Sequence, residues 1–176
     1  LSDSFKKVPV NNSMIYKIIS SLGHTVETAT ADLVDNSLQF GALNFKFGFY
    51  YDKERSFIYF HDDGDGMDKQ KLENAMTIGS LQDENKISAH SKFGLGLKIA
   101  SLNNCGSFQV FTNTKSNEPQ SMKMFYNDEK KDLLLTSSTR LPEKLSNIFP
   151  DYNIQDKGTL IIWENLNKNK FILNEH

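Results

Sequence analysis

"ETATADLVDNSLQFGALNFKFGFYY", residues 27–51, passes from a period of three to four into a period of two within a few positions. On a 100° wheel Val26, Ala29, Thr30, Leu33, Val34, Ser37 and Leu38 make one small and apolar stripe. Thr28, Asp32, Asp35, Asn36 and Gln39 fall opposite. The pattern predicts a helix over 25–40, ended by Gly41 as its C′ residue. Leu43, Phe45, Phe47, Phe49 and Tyr51 then alternate with other residues, which predicts a strand with these five on one side. "DKER" supplies a turn and "SFIYFHD" a second strand, giving a hairpin whose aromatics pack against helices.

Residues 1–12 read as a loose polar arm. A short helix is predicted over 14–22, with Met14, Ile15, Ile18, Ile19 and Leu22 on its buried side and Gly23 breaking it. After "DDGDGM" comes a short helix over 68–76, then a polar stretch over 79–92. "FGLGLKIASL" opens another helix at its glycines. "SFQVFTNT", "QSMKMFYN", "DLLLTSS" and "GTLIIWENL" read as strands, with a short helix over 142–148. Helices segregated from strands, with no βαβ alternation, point to an α+β two-layer sandwich. The sheet is expected to be mixed and mostly antiparallel, with helices on one face.

Length and composition bound the function. A chain of 176 residues with 38% hydrophobic content supports one domain with a core. Net charge is −2, so no global basic field advertises nucleic acid. Of twenty basic residues only Arg55 and Arg140 are arginines, which leaves little for bidentate phosphate clamps. Cys105 is alone, so neither an internal disulfide nor a cysteine metal cluster can form. Without a signal peptide or a bilayer-length apolar run, the chain is expected to be intracellular, cytoplasmic or nuclear, with no membrane partner. It starts at Leu1 without Met and is expected to be the N-terminal part of a longer protein.

Three stretches carry chemistry. Asp32 and Asn36 stand one helical turn apart, so both reach one point in space. No Lys or Arg occurs between Lys17 and Lys46, whereas a merely solvated helix face usually mixes signs. A carboxylate and an amide oxygen are hard donors suited to Mg²⁺ and a polarised water. "HDDGDGMD", residues 61–68, follows a strand and precedes a helix. Its glycines, Gly64 and Gly66, permit close approach, and Asp62 or Asp63 can accept a hydrogen bond from an exocyclic amine such as adenine N6. A calcium loop is excluded, because Gly66 at the sixth position puts His61 first and Leu72 twelfth. "SKFGLGLKIAS" places Gly94 and Gly96 at a helix start, where backbone N–H groups favour anions, with Lys92 or Lys98 adding charge. The dinucleotide fingerprint fails at Ile99, and no P-loop occurs anywhere.

These pieces follow one order: Asp32-x₃-Asn36 on a helix, a strand, Asp62-x-Gly64-x-Gly66, a polar segment, Gly94-x-Gly96 opening a helix, and Gly158-Thr159 on a late strand. That order resembles the GHKL ATPases (gyrase, heat-shock chaperone, histidine kinase and MutL type) with the Bergerat nucleotide fold. "GLGLKIASLNNCGSFQVFTNT" and "GTLIIWENL" look most like the Morc-type branch.

The resemblance implies ATP and Mg²⁺ as ligands, with Asn36 holding the metal and Asp32 activating water. It implies that Asp62 recognises adenine, with Gly64 and Gly66 giving room and Met67 packing on the base. Thr159 would support that aspartate. Lys92, Phe93, Gly94, Leu95, Gly96, Leu97 and Lys98 would line the phosphates, and residues 79–92 would be an ATP lid. An ATP-dependent homodimer in the full-length protein is implied too, with DNA contacted only through regions outside this chain. Two departures stand out. Asp32 is one methylene shorter than the family's usual glutamate, and Gln39 stands where relatives often carry Asp. Asp32 leaves slow hydrolysis or a non-hydrolysing nucleotide switch as alternatives, and a histidine-kinase-type ATP-binding domain is a further one.

Overall fold

The computed structural model describes residues 11–51, 56–79, 96–115, 118–138 and 157–167. Helix α1 spans Asn12–Ser20 and α2 Val26–Gln39. Strands β1 (Phe45–Tyr51) and β2 (Ser56–Asp62) follow, then α3 (Lys69–Met76) and α4 (Gly96–Asn104). Strands β3 (Cys105–Asn113), β4 (Gln120–Asn127), β5 (Asp132–Ser138) and β6 (Gly158–Leu166) complete the described fold. The expected arm (1–12) lies largely outside the described residues, as do most of the 79–92 segment and the helix expected over 142–148.

Helix α2 is fixed at both ends by its sequence. The Thr25 hydroxyl accepts from the Thr28 N–H, and Thr28 Oγ1 accepts in return from the Thr25 N–H at 3.0 Å. Such a cap contributes about 1 kcal/mol. At the other end Gly41 takes φ +76°, its N–H donating to Leu38 O, while Ala42 N–H donates to Ser37 O. These paired bonds satisfy carbonyls that would otherwise end the helix unpartnered. Asn11 and Asp68 cap α1 and α3 in the same way, which starts α1 two residues before the predicted position.

The sheet has six strands in the order β1-β2-β6-β3-β4-β5, and every described pairing is antiparallel, so the expected mixed component is absent among the described residues. Its pleat divides the core in two. Ile58, Phe60, Phe108, Val110, Met122, Met124, Ile161 and Trp163 face the layer made by Ile19, Ala29, Leu33, Leu72, Met76, Ala100 and Leu102. Phe57, Phe111, Leu160 and Ile162 cluster on the other face. Phe60 meets Trp163 edge-on at 4.5 Å, a geometry that contributes about 0.5–1.5 kcal/mol beyond burial.

The helix layer does not reach everything that its periodicity prescribes. Met14, Ile18 and Leu22 of the α1 stripe are exposed, and the buried face is Ile19 flanked by Ile15 and Tyr16. Leu38 on α2 and Phe47, Phe49 and Tyr51 on the edge strand β1 are also exposed, and Leu43 lies before the strand altogether. Periodicity identifies a face; coverage depends on whether a neighbouring element extends that far.

Candidate functional site

Register turns the helix-facing side of the sheet into rows. Ile58, Trp163, Phe108 and Met124 are successive partners across β2, β6, β3 and β4; so are Phe60, Ile161, Val110 and Met122. One step further along the pleat the row becomes Asp62, Thr159, Thr112 and Gln120. Two apolar rows therefore end in a polar one, beneath the C-terminal half of α2.

Asp62 is the half-buried carboxylate of that row. One oxygen accepts from the Ser37 hydroxyl at 2.9 Å and the other from the Gly64 N–H at 2.9 Å. Burial raises its pKa above the ordinary value, and these hydrogen bonds oppose the rise without cancelling it. Ser37 comes from the small stripe of α2, where Ala29 and Leu33 are buried beside it. A hydroxyl in a buried stripe was the available signal that something polar lies underneath.

Asp63 does different work. Its carboxylate accepts from the N–H groups of Leu43 and Asn44 at 2.8 Å each and from the Asn44 side-chain amide at 2.7 Å. Those bonds hold its pKa down at about 2. Asp63 thereby ties the α2–β1 loop to the end of β2. Because its pKa is depressed, it stabilises the fold above the ordinary value of 3.8, and this contribution is lost as pH falls towards about 2. Asp63→Asn is expected to lower the thermal midpoint by a few degrees at pH 7 and by much less near pH 2. A pH series of melting curves checks this, and an equal shift at both pH values would contradict it.

Gly66 is at φ +67°, and a Cβ there would sit 1.8 Å from the Asn113 carbonyl oxygen. The space beside it is thus filled by β3 backbone, and the glycine serves close packing of the turn instead of leaving room for a ligand. A Cβ on Gly64 would lie 2.9 Å from Asp62 Oδ1 and 3.0 Å from Phe40 O. The turn is held from below: Thr112 Oγ1 accepts from the Met67 N–H at 2.8 Å, and Met67 packs at the margin of the core. Thr112 carried no motif in the sequence. Only the pairing of β3 with β6 brings it behind Thr159.

On α2, Asp32 and Asn36 are both half-buried, and no side-chain hydrogen bond of Asn36 occurs among the described residues. The His24 ring, just before the helix cap, brings Nδ1 to 3.7 Å from Asp32 Oδ2. His24 was not singled out from sequence, since a lone histidine eight positions from an aspartate has no helical relation to it. Gly96 opens α4 and Leu97 packs at the core margin. Lys98, expected to add charge for a phosphate, is buried with its ammonium 2.5 Å from the Ala75 carbonyl oxygen at the end of α3. Burial lowers its pKa to about 8, so it remains mostly protonated at neutral pH. Lys92, Phe93, Gly94 and Leu95 lie outside the described residues.

Residues 24–159 match the family model described as histidine kinase-, DNA gyrase B-, and HSP90-like ATPase. The chain belongs to that family. It is an ATP-binding module of the GHKL ATPase type, and its α+β fold with a six-stranded antiparallel sheet agrees with this. The matched range takes in every part of the site, from His24 to Thr159. No curated protein matched the chain. Among the described residues of this GHKL domain no helix is long and apolar enough to cross a membrane.

Proposed function

We propose that the chain is a Mg²⁺-dependent ATPase module of a larger protein, in which Asp62 receives the adenine amine and Asp32 activates the attacking water. The observation that carries this reading is the polar row itself. A half-buried, hydrogen-bonded carboxylate lies under the same helix that presents Asp32 and Asn36 on its other side. In its ionised form Asp62 is a pure acceptor, suited to an exocyclic amine. Thr159 stands next to it in the row, and Met67 offers an adaptable apolar side chain to the base.

The donor set fits magnesium carried by a nucleotide. No group of three or more His, Cys, Asp or Glu side chains that could hold a metal occurs among the described residues. Mg²⁺ commonly takes one or two protein oxygens and completes its shell with phosphates and water. Asn36, with its side-chain oxygen uncommitted among the described residues, would be such a ligand. The ion would neutralise charge on the triphosphate; Asp32 would position the water and take its proton. Gly94 and Gly96 would bring backbone N–H groups to the phosphates, with Lys92 supplying positive charge. In the full-length protein nucleotide binding would drive lid ordering and dimerisation.

Asn36→Ala is expected to abolish the affinity that Mg²⁺ adds, a loss on the order of tenfold or more, while metal-free nucleotide binding persists. Calorimetry with ATP, with and without Mg²⁺, reads this directly. Equal Mg²⁺ enhancement in variant and wild type would remove Asn36 from the metal site. A second reading, a nucleotide switch without turnover, draws on one feature only: Asp32 in place of the longer glutamate. Assay of phosphate release, together with size analysis with and without a non-hydrolysable ATP analogue, separates the two.

A further inference from the structure

Thr112 is 1% exposed and sits behind Thr159, out of reach of any ligand, yet three polar groups converge on its hydroxyl. The Met67 N–H reaches Thr112 Oγ1 at 2.8 Å, the Gly158 carbonyl oxygen lies at 3.0 Å, and Thr159 Oγ1 lies at 3.2 Å. The protons can be assigned. A hydroxyl has one proton and two lone pairs. The Gly158 carbonyl can only accept, so it receives the Thr112 proton. The Met67 N–H can only donate, so it takes one lone pair. The remaining contact then requires Thr159 to donate its own proton to the second lone pair. With that, Thr112 is saturated.

We infer that Thr112 is a positioning residue for base selectivity: by absorbing the Thr159 proton it leaves Thr159 facing the site as an acceptor only. Ionised Asp62, its neighbour in the row, is likewise an acceptor. Two adjacent acceptors match the two protons of a 6-amino group, whereas a 6-keto purine sets a carbonyl against them and offers only its N1 proton, so it satisfies at most one. Discrimination between a 6-amino and a 6-keto purine would therefore be set partly by a residue that neither purine touches. This inference rests on the adenine reading of Asp62 given above.

The test compares ATP with inosine triphosphate, which carries a carbonyl in place of the amine, by calorimetry on the chain and its variants. Wild type should prefer ATP. Thr112→Val keeps the shape, removes the hydroxyl and releases the Thr159 proton to meet a carbonyl, so the preference should shrink by about tenfold, the value of one hydrogen bond. Thr112→Ser should restore the wild-type ratio. If Thr112→Val fails to fold, Thr112→Cys, whose thiol is a poor partner, takes its place. A merely structural role would weaken both nucleotides alike and leave the ratio unchanged, which overturns the inference and leaves the adenine reading intact. A wild type with no preference, or with no nucleotide binding, overturns both.

Discussion

Asp62→Asn is expected to lower the affinity for adenine nucleotides on the order of a hundredfold while guanine nucleotides, bound weakly from the start, change little. The size follows from the charge. A hydrogen bond to an ionised acceptor contributes about 1.5–3 kcal/mol, and asparagine replaces one acceptor oxygen with an amide donor. The native oxygens already receive Ser37 Oγ and Gly64 N–H, so the new amide also faces a donor from the protein. The fold itself should tolerate the change, since burial penalises the charge that is removed. Because the folded pKa is raised, Asp62 contributes stability that is present below 3.8 and lost as pH rises through the folded value. At neutral pH the variant should therefore melt no lower than wild type by this term. Ligand affinity should run the other way, falling as acidification protonates Asp62 in wild type but not in Asp62→Asn. Calorimetry with ADP and GDP across pH reads both, and equal losses for the two bases would sink the adenine role.

The secondary structure of this chain was written locally and was legible for that reason. Four strands, β2, β4, β5 and β6, have the limits that their alternation and flanking turns prescribe. Thr25 and Gly41 bound α2 through caps that a few neighbouring residues suffice to form. Asp32 and Asn36 stand out because they lie one turn apart on a helix face without Lys or Arg, whereas Asp62 is distinguished from Asp63 only by the family resemblance. What stayed hidden needs register. Thr112 joins the polar row because it pairs with Thr159, and Thr159 with Asp62, across strands separated by long stretches of sequence. Ser37 looked like a small core residue until β2 passed beneath it. Gly66 shows the opposite error: its missing side chain suggested space for a ligand, and the space holds the Asn113 carbonyl. Lys98 was readable as a basic residue at a helix start; that its ammonium turns to Ala75 was not. The exposed aromatics of β1 have the same origin, since alternation carries no information about how far the helix layer extends.

Asp32→Ala is expected to reduce ATP turnover by ~10²–10⁴-fold, the usual contribution of a positioned general base, while ATP affinity stays within a few-fold of wild type. A carboxylate that positions water and accepts its proton acts on the transition state, so its loss appears in kcat and spares binding. Asp32 is half-buried on α2, one turn before Asn36, and His24 Nδ1 lies 3.7 Å from its carboxylate. An imidazole at that distance restricts where the short side chain can point, which matters more for aspartate than for the longer glutamate. Displacing a reacting group by about 1 Å can cost ~10²-fold. Asp32→Glu therefore separates the two readings of the domain. If wild type turns over slowly because its carboxylate falls short of the water, the added methylene should raise kcat by up to ~10²-fold with KM nearly unchanged. If Asp32 is set for its native geometry, with His24 holding it, Asp32→Glu should instead slow turnover by crowding the ring. Phosphate release measured on the full-length protein, where the assembled state is available, distinguishes these outcomes. Silence in both wild type and Asp32→Glu, with ATP still bound, would leave the nucleotide switch as the function of this domain.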